Sequence, residues 1–83
     1  MLLLLALACD NRNACEKYVD AYAKCLEAAG VEVDVGDACA DYEPGPQKDA
    51  YETCLMEAFD RDCSEDGELD AANEAAADCE PPA

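Results

Sequence analysis

The chain has 83 residues, carries a net charge of −16 and contains no histidine. This length allows a single domain. Its 21 acidic side chains against five basic ones argue against nucleic acid and anionic lipid headgroups as partners, because phosphate recognition requires clustered lysine and arginine. The same charge is compatible with cations and with basic proteins.

The first nine residues resemble the end of a bacterial lipoprotein export signal. The apolar run over 2–7 is too short to cross a bilayer, which takes about 20 residues. The stretch Leu-Ala-Leu-Ala-Cys over 5–9 resembles a lipobox, and this resemblance implies cleavage before Cys9 and a diacylglyceryl thioether on its sulfur. Residues 1–8 are then residual signal peptide, 9–13 are a lipidated cysteine with a tether, and 14–83 form one domain. The alternatives are a plain secretory leader or the start of a hydrophobic helix.

A first helix is predicted over residues 14–29. Asn13 is a suitable N-cap and Glu16 stands in the capping-box position. One face carries residues that recur at steps of three and four, namely Cys15, Tyr18, Tyr22, Cys25, Leu26 and Ala29. Gly30 is expected at the C-terminal cap. Tyrosines at this spacing indicate core packing, in preference to an aromatic binding strip.

A long loop is predicted between the first two helices. Three valines alternate with acids over 31–35, which indicates a short extended segment lying over the helices, and a helical turn is expected at 37–42. The second helix is predicted from Pro46 to Asp60 and the third over 69–79. The predicted fold class is therefore all-α, a small disulfide-stabilised module with a helical hairpin and a short third helix.

The seven cysteines indicate an exported protein. If Cys9 is lipidated, an even six remain, and these are expected to form three disulfides. A core of this size supplies roughly 3–5 kcal/mol, so the chain needs crosslinks. Such crosslinks persist in an oxidising compartment, which predicts an extracytoplasmic protein anchored to the membrane, in the periplasm or at the cell surface.

The pairing of these six cysteines is not fixed by the sequence, since fifteen connectivities are possible. In two antiparallel helices, facing residues have a nearly constant sum of positions. Applied to the first two helices, this rule favours three disulfides: Cys15–Cys63, Cys25–Cys54 and, by remainder, Cys39–Cys79. The cysteine spacings of the two helices, nine and eight intervening residues, resemble the twin CX9C helical hairpins of the mitochondrial intermembrane space. That resemblance implies the same nested pairing.

The segment 62–70 resembles the first part of an EF-hand calcium loop. By this resemblance the oxygen ligands are Asp62, Ser64, Asp66, Glu68 through its carbonyl, and Asp70. Gly67 stands at the position of the sharp turn, whereas Asn73 replaces the bidentate glutamate of the family, so the implied affinity is weak, about millimolar. The alternative is that Asp62 or Ser64 caps the third helix.

The residue inventory argues against an enzyme, because the chain has no histidine, one serine, one threonine and no CxxC motif. The predicted function is that of a small exported lipoprotein acting as a non-catalytic binding or structural module at the bacterial membrane surface. The alternative is a calcium-binding module that uses the degenerate EF-hand-like loop. A third hypothesis, an acidic inhibitor or immunity-type protein with a basic partner, is permitted by the charge alone.

Overall fold

A computed structural model describes residues 12–82 of the chain. This part folds into three α-helices without strands: α1 over Ala14–Ala28, α2 over Pro46–Phe59 and α3 over Glu68–Ala77. The predicted all-α class, with three helices, three disulfides and a long loop after the first helix, is confirmed. The helix ends lie within two residues of the predicted positions.

Helix α1 begins at the predicted capping box. The Asn13 side-chain oxygen accepts a hydrogen bond from the Glu16 backbone N–H at 2.8 Å. In return, the Glu16 carboxylate accepts one from the Asn13 backbone N–H at 3.0 Å. Both bonds satisfy N–H groups that have no partner within the helix, which fixes where α1 starts.

Helix α1 ends in a Schellman motif at the predicted glycine. Gly30 has φ +87°, in the left-handed region that favours glycine. Its N–H bonds to the Glu27 carbonyl at 3.0 Å, and the Val31 N–H bonds to the Leu26 carbonyl at 2.9 Å. These two bonds satisfy carbonyls of the last turn and direct the chain away from the helix axis.

The loop over 29–45 runs back along α1. Residues 31–35 belong to no helix and pair with no strand within residues 12–82, and the short extended segment stays a prediction. The segment 37–42 is a series of turns closed by bonds such as Ala40 N–H to Asp37 carbonyl at 2.9 Å, and is not assigned as a helix. Residues 35–40 line one side of a cleft whose other side is the outer face of α1. The loop therefore returns the chain to the end of the molecule where α1 begins.

Helices α1 and α2 consequently lie side by side and run in the same direction. Near their beginnings, Cys15 and Tyr51 line one cavity. At the other end, Cys25 is bonded to Cys63, just beyond α2. Residue numbers therefore rise together along both helices, whereas they would rise in one and fall in the other in an antiparallel pair. The expectation that α1 and α2 form an antiparallel hairpin is therefore wrong.

The hairpin of this fold is formed by α2 and α3. Cys54, in the middle of α2, is bonded to Cys79 just after α3. At the opposite end, Arg61 after α2 forms an ion pair at 3.1 Å with Glu68 at the start of α3. Numbers rise along α2 as they fall along α3, so these two helices are antiparallel.

The core is small and lies where the three helices meet. Its buried members are Cys25, Ala58, Phe59, Cys63 and Ala72, and no charged or polar residue of the described chain is buried with them. The Phe59 ring packs edge to face against Tyr22, with centroids 5.0 Å apart, and lies 6.0 Å from Tyr18. The interpretation of Tyr18 and Tyr22 as core packing is confirmed.

Candidate functional site: the disulfide framework and the acidic turn

All six cysteines between positions 15 and 79 are in disulfides, as predicted. The predicted pairing is wrong for all three bonds. The bonds are Cys15–Cys39, Cys25–Cys63 and Cys54–Cys79. The predicted bonds Cys15–Cys63, Cys25–Cys54 and Cys39–Cys79 do not form. The nested pairing implied by the twin CX9C resemblance is likewise not formed.

The direction of α2 explains the error for the first two cysteines. Because α2 starts beside Cys15, residues after α2 lie at the far end of α1, beside Cys25. Cys63 therefore reaches Cys25, with a Cα–Cα distance of 4.9 Å. Cys15 bonds instead to Cys39, in the loop that has just returned to the start of α1, with Cα atoms 5.9 Å apart.

The helical phase of α2 explains the third disulfide. Phe59 faces α1, where it meets Tyr22. Cys54 precedes Phe59 by five residues, which at about 100° per residue places it roughly 140° around the helix. Cys54 therefore points toward α3, and the Cα–Cα distance to Cys79 is 5.9 Å.

The acidic turn over 60–67 does not gather the predicted calcium ligands. Within residues 12–82, no group of three or more histidine, cysteine, aspartate or glutamate side chains is placed to hold a metal ion. The Asp62 carboxylate accepts hydrogen bonds from the Ser64 hydroxyl and from the Ser64 N–H, the latter at 3.1 Å. The Glu68 carboxylate is turned to Arg61. The described acidic side chains therefore do not converge on one centre in this conformation, and calcium binding by this segment stays a prediction.

Local hydrogen bonding in this turn also determines its electrostatics. The hydrogen bonds from Ser64 hold the pKa of the Asp62 carboxyl below its usual value, because they stabilise the ionised form. Gly67 has φ +80°, so the sharp turn expected at this position is present. The remaining two predicted ligands, Asp66 and Asp70, are exposed.

The alternative prediction for this segment, that Asp62 or Ser64 caps the third helix, is wrong. The N-cap of α3 is Gly67, and no side chain donates or accepts a capping hydrogen bond there. Asp62 and Ser64 bond to each other several residues earlier. The acids Glu68 and Asp70 stand in the first turn of α3, where negative charge interacts favourably with the helix dipole.

The lipobox and Cys9 lie outside the described residues. Among residues 12–82 no helix is both long enough and apolar enough to cross a membrane. The described chain starts at Arg12, whose guanidinium forms an ion pair at 3.3 Å with Asp20. Lys24 contacts the same Asp20 oxygen at 3.1 Å, and the hydrogen bond from Lys24 is the main cause that lowers the pKa of Asp20.

A contact not anticipated from the sequence closes the loop against α2. The Tyr42 hydroxyl donates a hydrogen bond to the Asp49 carboxylate. Desolvation, reinforced by that bond, raises the pKa of Tyr42 to about 12. In the sequence, the signal that the loop docks against α2 is Tyr42, which stands three residues after Cys39 and four residues before Pro46.

Comparison with known proteins yields no relative: no family model, curated protein or solved structure matches this chain.

Proposed function

We propose that this chain is a small exported bacterial lipoprotein whose folded part is a non-catalytic binding or structural module, anchored to the membrane surface through Cys9. The observation that carries the proposal is the disulfide framework. Three disulfides use the six cysteines from 15 to 79, and Cys9 is the seventh cysteine of the chain. Crosslinks in this number are typical of small proteins of oxidising compartments.

The crosslinks substitute for a core that is too small. Within residues 12–82, Leu55 and Phe59 are the only large aliphatic or aromatic side chains that are buried. Disulfides that close loops of 24, 38 and 25 residues each contribute about 3–4 kcal/mol by restricting the unfolded chain. Without an oxidising environment this fold would be marginal at best, which supports export.

The anchor would hold a defined end of the module near the bilayer. Six positions separate Cys9 from Cys15, so the two Cα atoms are at most about 20 Å apart. Cys15 lies at the end of the molecule where α1 and α2 both begin and where the Cys15–Cys39 disulfide fixes the loop. The tether would therefore keep this end of the module within about 20 Å of the lipidated residue.

Calcium binding is not part of the proposal, because the Asp62 and Glu68 carboxylates are engaged by Ser64 and Arg61 and no metal-holding group of acidic side chains forms within residues 12–82. Catalysis is not part of it either. The chain has no histidine, and its single serine, Ser64, is hydrogen-bonded to Asp62, a pairing that supports a turn.

The proposal is tested by membrane fractionation of bacteria that express the chain with its complete export signal. We expect the natural chain to be released from membranes by detergent alone, whereas Cys9→Ser is released without detergent. A matched control is Ala38→Ser, an exposed loop position, which should fractionate like the natural chain. Equal membrane retention of Cys9→Ser and the natural chain would contradict the proposal.

A further inference from the structure

A cavity of about 380 Å³ opens at the end of the molecule where α1 and α2 begin. Four segments form it: the start of α1, the loop over 38–43, the first two turns of α2 and the chain end at Pro82. The side chains that give it chemical character are Asp41, Tyr42, Glu43, Lys48, Tyr51 and Glu52. We call it the Tyr42 pocket.

The walls of the Tyr42 pocket are fixed before any ligand arrives. Cys15 is part of the lining, and its bond to Cys39 holds the loop. The hydrogen bond from Tyr42 to Asp49 holds the same loop against α2. The Cys54–Cys79 disulfide holds the chain end near α2. A pocket that is already formed loses less conformational entropy on binding.

Glu52 is a partly buried carboxylate of the Tyr42 pocket. Its side chain is partly buried, and within residues 12–82 no hydrogen bond or ion pair is recorded for it. Burial raises the pKa of its carboxyl. Lys48, one helical turn before Glu52 in the same pocket, is paired with Glu43, so a further cationic group placed here would supply a charge partner for Glu52.

The other charges leave the pocket negative. Glu43 is paired with Lys48 at 4.0 Å, but both side chains are at least half exposed, so the pair is weak. Asp41 is exposed at the rim without a cationic partner among the described residues. Two phenol rings, Tyr42 and Tyr51, stand among these carboxylates.

We propose that the Tyr42 pocket binds the guanidinium group of an arginine side chain presented by a basic partner protein. A planar guanidinium stacks on an aromatic ring while donating paired N–H bonds to a carboxylate, and it is more weakly hydrated than an ammonium group. The net charge of −16 would attract a basic partner from a distance. The inference rests on the proposed role as a binding module and names the partner class.

The test is a titration of isotope-labelled, oxidised, full-length protein with N-acetyl-arginine amide, followed by amide chemical shifts at about 0.15 M salt, where surface charges are largely screened. We expect saturable shifts confined to 38–43, 48–52 and 80–82. The neutral isostere N-acetyl-citrulline amide should cause none, and N-acetyl-lysine amide should bind more weakly than the arginine compound.

Two variants with a matched control locate the site. Glu52→Gln should weaken arginine amide binding by about tenfold, since a charged hydrogen bond is lost. Tyr51→Leu, which keeps apolar volume but removes the ring, should weaken it by about threefold. Glu57→Gln removes one charge from an exposed position on the same helix and should leave the affinity unchanged.

Three outcomes would each overturn the proposal. The first is chemical shift changes spread over the whole acidic surface, and the second is binding of the citrulline or lysine amide as tight as that of the arginine amide. The third is an equal effect of Glu57→Gln and Glu52→Gln on the affinity. Failure here is distinguishable from failure of the lipoprotein assignment. The titration reads only the folded module, whereas the anchor is read from the location and modification of Cys9.

Discussion

Cys25 and Cys63 are 38 positions apart in the chain, and their Cα atoms lie 4.9 Å apart in the centre of the core. Both residues are almost fully enclosed, with exposed fractions of 1% and 3%. This disulfide joins the last turns of α1 to the turn that follows α2, and α1 and α2 run in the same direction. It therefore serves both as a crosslink and as one of the largest elements of the hydrophobic core.

The enclosure of Cys25–Cys63 predicts an order of reduction. A thiolate must reach a sulfur atom to break the bond, so exposed disulfides react first. Cys39 and Cys54 are only partly buried, which leaves Cys15–Cys39 and Cys54–Cys79 open to attack. Limited reduction followed by alkylation and peptide mapping should label those four cysteines before Cys25 and Cys63. Early labelling of Cys25 would show that the core is not closed as described.

Gly30 should be sensitive to substitution although a Cβ there meets no atom within 4 Å. The cause is its φ of +87°, which costs an L-residue about 1–2 kcal/mol. Gly30→Ala should lower the free energy of unfolding by this amount, measured by denaturant titration. Gly30→Asn should lower it by less, because asparagine tolerates this conformation better. Equal stability of Gly30→Ala and the natural protein would contradict the Schellman motif that ends α1.

Glu52 should make stability depend on pH in the direction opposite to most carboxylates. Burial raises the folded-state pKa of its carboxyl, so the folded protein binds this proton more tightly than the unfolded chain does. The ionised group therefore costs stability above the raised pKa, and that cost is lost as the pH falls toward the unfolded value. Glu52→Gln should stabilise the protein slightly at pH near 7, because solvent screening keeps the cost of this partly exposed charge small.

The control for this prediction is Glu57→Gln, which removes the same charge at an exposed position of α2. The difference in unfolding free energy between the two variants should be positive at neutral pH and should vanish in acid below the ordinary pKa of glutamate. A constant difference across that range would mean that the effect of Glu52 has nothing to do with its titration.

Calcium should not stabilise the fold specifically. Of the ligands implied by the EF-hand resemblance, Asp62 and Ser64 are hydrogen-bonded to each other, and no metal-holding group of acidic side chains forms within residues 12–82. At about 10 mM, in the range of weak extracellular calcium sites, calcium and magnesium should raise the melting temperature equally, by screening the net negative charge. A rise larger with calcium than with magnesium, and abolished by Asp62→Asn, would show that the turn rearranges into a metal site.

The sequence was informative wherever the determinant is local. Asn13, Glu16, Gly30 and Pro46 mark helix ends through hydrogen bonds or backbone angles within a few residues, and each stands where predicted. The prediction of three disulfides followed from cysteine parity once Cys9 was assigned to the lipobox. Helix ends depend on neighbouring residues and cysteine parity is a count, and a sequence displays both directly.

The pairing was not predictable by the same route because it depends on the direction of α2. A helix of 15 residues is about 22 Å long, and the loop over 29–45 could span about 50 Å when extended. The loop could therefore let α2 start at either end of α1. The rule that facing residues have a constant sum of positions assumes that α1 and α2 are antiparallel. The length of this loop was the signal that the other direction was open.

The acidic turn shows a different limit of what residue spacing can predict. The spacing of oxygen side chains over 62–70 matches the start of a calcium loop, but spacing does not determine where each side chain points. Ser64 and Arg61 take up the carboxylates of Asp62 and Glu68. A chain with 21 acids also produces such spacings by chance.

The central claim is that one sulfur carries lipid and six form crosslinks in the stated pairs. Intact-mass spectrometry of protein extracted from membranes, followed by non-reducing peptide mapping, tests it most directly. We predict added mass from acyl chains on Cys9, no free thiol, and linked peptides joining Cys15 to Cys39, Cys25 to Cys63 and Cys54 to Cys79. An unmodified Cys9 together with free thiols among the other six would contradict it.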